Sequence, residues 1–182
     1  MPPRNVILIG YRGCGKTSVG RELAARLRWR FVDTDEQVEA AARRSIREIF
    51  EQHGEAFFRQ LETRVIAQVT GAAGQVIAVG GGAVLSAANR AALQRAGICL
   101  WLTAPATELH RRLQADPRTG ATRPALTMRG GLAEVRHLLA ERRPLYAALA
   151  QHVVPTRARS IPDVVEAVLS AVAKGGLLPE AP

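Results

Sequence analysis

The stretch NVILIGYRGCGKTSVG, residues 5–20, decides the fold. It opens with a short aliphatic run, NVILIG, of the kind that forms a strand buried on both faces. It closes with Val19, Leu23 and Leu27 at helical spacing, which predicts a helix over 16–28. Between them GYRGCGKT (10–17) fits G-x-x-x-x-G-K-[ST] in the strand–loop–helix context the motif requires. Gly10, Gly13 and Gly15 let the backbone fold into a nest whose N–H groups converge on phosphate oxygens. The N-terminus of the next helix adds about half a positive charge. Lys16 can reach the β- and γ-phosphates of a nucleotide, and the Thr17 hydroxyl can ligate magnesium. Lys16 is one of only two lysines in the chain. Cys14 occupies a free position of the motif.

Outward from this segment, short apolar runs alternate with helical patterns. The runs are 30–33, 76–79, 98–102 and 152–154, and the predicted helices cover 36–42, 45–70, 86–96, 105–114, 131–150 and 161–174. Such alternation argues for an α/β fold of three layers, a five-stranded parallel sheet with helices on both faces. The stretch QADPRTGATRPALTMRGG is rich in Gly, Pro, Thr and Arg. It reads as a mobile lid at about 114–128. Residues 1–174 are expected to form one domain and residues 175–182 a flexible tail.

Composition narrows the function. No apolar run approaches a membrane span of roughly 18–20 residues, and the apolar stretch up to Gly10 is too short to be expected as a signal peptide. A cytoplasmic protein is expected. The formal charge of +9 favours anionic partners, but the 23 arginines are scattered and not interleaved with aromatics. Nucleic acid is therefore not the expected partner. Cys14 and Cys99 have no metal-ligand spacing. There is no N-K-x-D guanine motif, and the run VIAV ends in Gly80-Gly81-Gly82, not in an aspartate. A compact kinase acting on a small molecule remains.

The chain has four aspartates, and FVDTDE (31–36) holds two of them, Asp33 and Asp35. In extended chain, residues two apart point to the same side. Both would then project from the carboxyl end of the second strand toward the phosphate nest. Asp33 would hold hydrated magnesium with Thr17, and Asp35 would orient the acceptor hydroxyl or take its proton. Helix capping is the other reading: Thr34 with Gln37 fits a capping box. Gly80, Gly81 and Gly82 permit close backbone approach to a ligand, or form a plain turn. Arg59, three residues before Glu62, is either a fork for a carboxylate or a surface ion pair. Arg142 in ERRPLY is equally open on its own.

Together GYRGCGKTSVG, FVDTDE, GEAFFRQLE, VGGGAVL, TRPAL and RRPLY, in this order, resemble the shikimate kinase family over about residues 5–170. The resemblance implies a P-loop fold like that of the nucleoside-monophosphate kinases, usually monomeric. It implies transfer of the γ-phosphoryl group of ATP to the 3-hydroxyl of shikimate, with magnesium, on the way to chorismate and aromatic amino acids. Asp35 then matches the residue that binds shikimate hydroxyls, and Arg59 and Arg142 the pair that holds its carboxylate. Gly81, with Gly80 and Gly82, matches the backbone contact to shikimate. Gly13, Cys14, Gly15, Lys16, Thr17 and Ser18 would wrap the nucleotide phosphates, and Arg123 would close on them from the lid. Arg118 and Arg159 fall near positions that pack on adenine. Pro155 stands where the family often has an aspartate. Gluconate kinases share the architecture and also act on a hydroxylated carboxylate, so they are the competing enzyme reading. A non-catalytic nucleotide-binding protein is the reading from another class.

Overall fold

The computed structural model describes residues 5–116 and 130–174. Five parallel strands run in the order β2-β3-β1-β4-β5, with β1 Asn5–Ile9, β2 Arg30–Asp33, β3 Gln75–Ala78, β4 Ile98–Thr103 and β5 His152–Pro155. The helices among the described residues are α1 Lys16–Leu27, α2 Thr34–Ala42, α3 Ile46–Val69, α4 Ala87–Ala96, α5 Ala106–Ala115, α6 Gly131–Leu149 and α7 Ile161–Lys174, with a 3₁₀ turn at Ala83–Leu85. The fold class expected from the sequence is the one observed. Of the segment 114–128 expected to be a lid, Gln114 and Ala115 close α5 and Asp116 is its C-cap. Residues 117–128, with Arg118 and Arg123, and the C-terminal tail lie outside the described residues.

β1 is central and pairs in parallel with β3 and β4, Ile7 opposite Ile77 and Cys99. Its side chains alternate between two cores. Val6 and Leu8 pack with Val19, Leu23, Leu100, Val165 and Val168, beneath α1 and α7. Ile7 and Ile9 pack with Ile66, Ile77, Leu93, Trp101 and Tyr146, beneath α3, α4 and the end of α6. Burying each such aliphatic side chain contributes about 1.5–3 kcal/mol, which is why the three inner strands read as unbroken apolar runs. The two edge strands are only four residues long, and β5 ends in a proline, as unpaired edges tolerate.

Two local departures shape the site. α2 starts at Thr34, two residues earlier than expected, because the Asp33 side chain caps it by accepting from the Asp35 amide at 3.0 Å. The predicted Thr34–Gln37 box is therefore not the cap. α3 is bent at Gly54, whose φ of 77° and ψ of 175° are not helical. A third, smaller core of Val38, Ile46, Ile49, Phe58 and Val65 packs α2 against both halves of α3.

Candidate active site

β2, β3 and β1 are neighbours, so the loops leaving their carboxyl ends meet in one crevice. The phosphate nest follows β1. Gly13 and Gly15 have φ of 80° and 98°, a region that side chains rarely adopt, and Gly15 caps α1. Lys16 Nζ folds back and donates to the carbonyls of Gly10 at 2.8 Å and Tyr11 at 3.0 Å. One cavity is lined here by Gly13, Gly15, Lys16, Thr17, Ser18, Asp33 and Asp35. Cys14, grouped with them from the sequence, turns its side chain into the core and is fully buried. Only its backbone is left for a phosphate contact.

Asp33 and Asp35 both face the crevice, but not by strand alternation. Asp33 closes β2, and Asp35 sits in the first turn of α2. The cap bond makes the two roles compatible: Asp33 Oδ1 holds the helix start while Oδ2 accepts from the Thr17 hydroxyl at 2.8 Å. That hydroxyl and carboxylate are hard oxygen donors on the wall of the phosphate cavity, which suits magnesium with water completing its shell. Asp35 lines this cavity and also a second one beside it.

The second cavity is lined by Arg12, Asp35, Ile46, Phe50, Phe58, Arg59, Glu62, Gly80, Gly81, Gly82 and Arg142. It brings together every residue that the sequence assigned to an acceptor. Arg59 is no surface ion pair. Its Nη1 donates to the buried Glu62 carboxylate at 2.8 Å and its Nη2 to Glu55 at 3.0 Å. Burial works against the Arg59 charge, yet Glu62 and Glu55 together hold its pKa above the ordinary value. Burial pushes the Glu62 carboxyl up, against the pull of Arg59 and Arg142. Burial dominates at Glu62, which is 1% exposed, while the Arg59 side chain is 22% exposed. Arg142 is 5% exposed and its guanidinium lies 5.8 Å from the Tyr11 ring centroid.

The glycine run has a spatial reason. A methyl on Gly80 would stand 2.7 Å from Asp35 Oδ1 and 2.9 Å from Glu62 Oε1. One on Gly81 would stand 3.3 Å from the Arg12 amide nitrogen, and one on Gly82 only 2.5 Å from both terminal nitrogens of Arg59. Each side chain would enter a different part of the site. The run is also tethered: the Gly80 amide donates to Thr34 Oγ1 at 2.9 Å, and the Tyr146 hydroxyl donates to the Gly81 carbonyl at 2.5 Å.

Two residues were missed from the sequence. Arg112 lines the phosphate cavity and donates to the carbonyls of Gly13 and Thr156. Arg12 lines both cavities. Arg159 is exposed and lines neither.

Among known proteins the chain is similar to shikimate kinases. The family model for shikimate kinase matches residues 12–173. The shikimate kinase of Symbiobacterium thermophilum is 43% identical over 172 residues, which is 94% of this chain and 98% of that protein. That of Ruegeria pomeroyi is 42% identical, over 93% of this chain and 85% of that protein. Among solved structures, the shikimate kinase of Acinetobacter baumannii in complex with shikimate superposes with a TM-score of 0.89 at 34% identity, covering 97% of this chain and 96% of that one. A gluconokinase from Sinorhizobium meliloti superposes with a TM-score of 0.58 at 17% identity, a likeness of fold alone.

Proposed function

The chain belongs to the shikimate kinase family, and from that premise we propose how its two cavities carry out the transfer of the ATP γ-phosphoryl group to the 3-hydroxyl of shikimate. The observation that carries the reading is Asp35, which lines both the phosphate cavity and the acceptor cavity. A carboxylate at that boundary can hold the acceptor hydroxyl, orient its oxygen toward the γ-phosphorus and accept its proton as the new bond forms. The nest amides and Lys16 bind the phosphates; Lys16 exchanges its two carbonyl partners for phosphate oxygens on the way. Thr17 and Asp33 would hold magnesium, which neutralises charge on the phosphate oxygens.

At the far end of the acceptor cavity, Arg59 and Arg142 hold the shikimate carboxylate. Glu62 fixes the Arg59 fork beforehand, so little side-chain freedom is lost on binding. Phe50 and Phe58 give the cavity an apolar side that suits the cyclohexene ring. Gly80, Gly81 and Gly82 let that ring approach the backbone. Arg123 is the candidate cation from the segment after α5, and the enzyme is a monomer, as the family resemblance implies, placed in the cytoplasm by the sequence reading.

The test is ADP release from the purified protein with magnesium and ATP, comparing shikimate, gluconate and no acceptor. Turnover with shikimate alone is expected. Turnover with gluconate instead would keep the phosphate site and overturn the acceptor reading.

A further inference from the structure

Arg12 occupies a free position of the phosphate motif, so the nest itself does not require it. Its placement is nevertheless specific. Among the described residues, Asp35 and Ile46 are the only others that line both cavities. Its backbone is held against the glycine run at Gly81. Its Nη2 donates to Glu134 Oε1 at 2.9 Å, and the Glu134 carboxylate, in the first turn of α6, is 2% exposed. A buried carboxylate needs a fixed partner, and the pair therefore holds the guanidinium in place. The Arg12 and Arg142 guanidiniums both stand over the Tyr11 ring, 5.9 and 5.8 Å from its centroid. Arg142 lines the acceptor cavity alone, whereas Arg12 also lines the phosphate cavity. Arg12 Nε is buried with no hydrogen-bond partner among the described residues. Of its donors, Nη2 is committed to Glu134, while Arg12 itself lines both the phosphate and the acceptor cavity.

Charge builds up at the boundary between the two cavities. During transfer the bond from the γ-phosphorus to the bridging oxygen breaks, and its electron pair stays on ADP. The acceptor oxygen bonds to phosphorus and its proton passes to Asp35. Three phosphoryl oxygens cross between the cavities, close to two aspartates, and catalysis of such a step is mostly positioning and electrostatics. We propose that Arg12 is a further catalytic residue, whose guanidinium contacts the phosphoryl group as it crosses from the phosphate cavity to the acceptor cavity, with Glu134 as its positioning residue. This rests on the kinase reading above.

Four variants test it: Arg12→Met, Arg12→Lys, Glu134→Gln and the double variant Arg12→Met/Glu134→Gln. For Arg12→Met, kcat should fall about a hundred- to a thousandfold, the scale of losing one preorganised donor to the transition state, with KM for shikimate and ATP little changed. Arg12→Lys should recover part of the loss. Glu134→Gln should lower kcat in the wild-type background and have no further effect beside Arg12→Met, a dependence that a merely structural role would not show. Binding of ADP with aluminium fluoride and shikimate should weaken in step with kcat, while binding of ADP alone stays unchanged. Thermal denaturation checks folding. If Arg12→Met, which removes a partner of the buried carboxylate, does not fold, the double variant, which also removes that charge, takes its place. Wild-type kcat in Arg12→Met or in the double variant would overturn the proposal. So would a rise in shikimate KM alone, which would make Arg12 a third grip on the carboxylate. An inactive wild type would instead overturn the functional reading itself, and the Arg12 role with it.

Discussion

Gly82→Ala isolates the contribution of Arg59 to acceptor binding without touching Arg59. Gly82 has φ of −96° and ψ of −7°, which alanine adopts readily, so the backbone need not move. Alanine would even stabilise slightly by restricting the unfolded chain. The new methyl, however, would stand 2.5 Å from both Nη1 and Nη2 of Arg59 and 2.8 Å from Cζ, where ordinary contact begins at 3.4 Å. The guanidinium is the end of a flexible side chain, and it would retreat by close to 1 Å. That loosens its 2.8 Å bond to Glu62 and withdraws it from the carboxylate of the acceptor. Hydrogen bonds to a charged group contribute about 1.5–3 kcal/mol, which is about ten- to 150-fold in a binding constant. The expected result is a rise in the shikimate KM and Kd on that scale, with ATP binding unchanged and the melting temperature close to wild type. Initial rates of ADP release across a shikimate titration, with calorimetric binding, give both constants. A wild-type shikimate Kd in a folded Gly82→Ala protein would refute the reasoning, as would an equal loss of ATP affinity.

Asp35→Asn removes the proton acceptor and keeps the shape; turnover should vanish while nucleotide titrations stay near wild type, and near-normal turnover would remove Asp35 from the mechanism. Thr17→Val deletes the hydroxyl that Asp33 holds at 2.8 Å, so half-maximal activity should require more magnesium; an unchanged magnesium titration would contradict the assigned metal site. Burial pushes the Cys99 thiol up to about 12, so no thiolate forms there at pH 8. Cys14 is likewise buried. Maleimide at pH 8 should therefore label neither thiol in the native protein and both after denaturation, and fast native labelling would contradict that burial. The sign for stability follows: the native state resists ionising Cys99, so this contribution is intact below the ordinary thiol range and lost as pH rises toward 12.

What the sequence disclosed, and what it withheld, follows from the range of the interactions. The phosphate nest was legible because its chemistry needs residues adjacent in sequence: glycines for the turn, Lys16 and Thr17 at the helix start. The inner strands were legible because burial on both faces leaves an unbroken apolar run. Asp33 and Asp35 were legible as a pair, but strand alternation was the wrong geometry, because the Asp33 side chain starts a helix that the apolar pattern alone places two residues later. The arginines separate the two cases further. Arg59 and Arg142 became identifiable through family resemblance, whereas Arg12 and Arg112 carry no local mark that sets them apart among 23 arginines. They differ from exposed Arg159 only in their distant partners, Glu134 and Thr156, which lie 122 and 44 residues away in the chain. A composition so rich in arginine hides its functional cations, since charge at the surface costs little and leaves no pattern. What identifies a working guanidinium here is a buried carboxylate or carbonyl that holds it still, and such partners exist only once the sheet has brought the loops together.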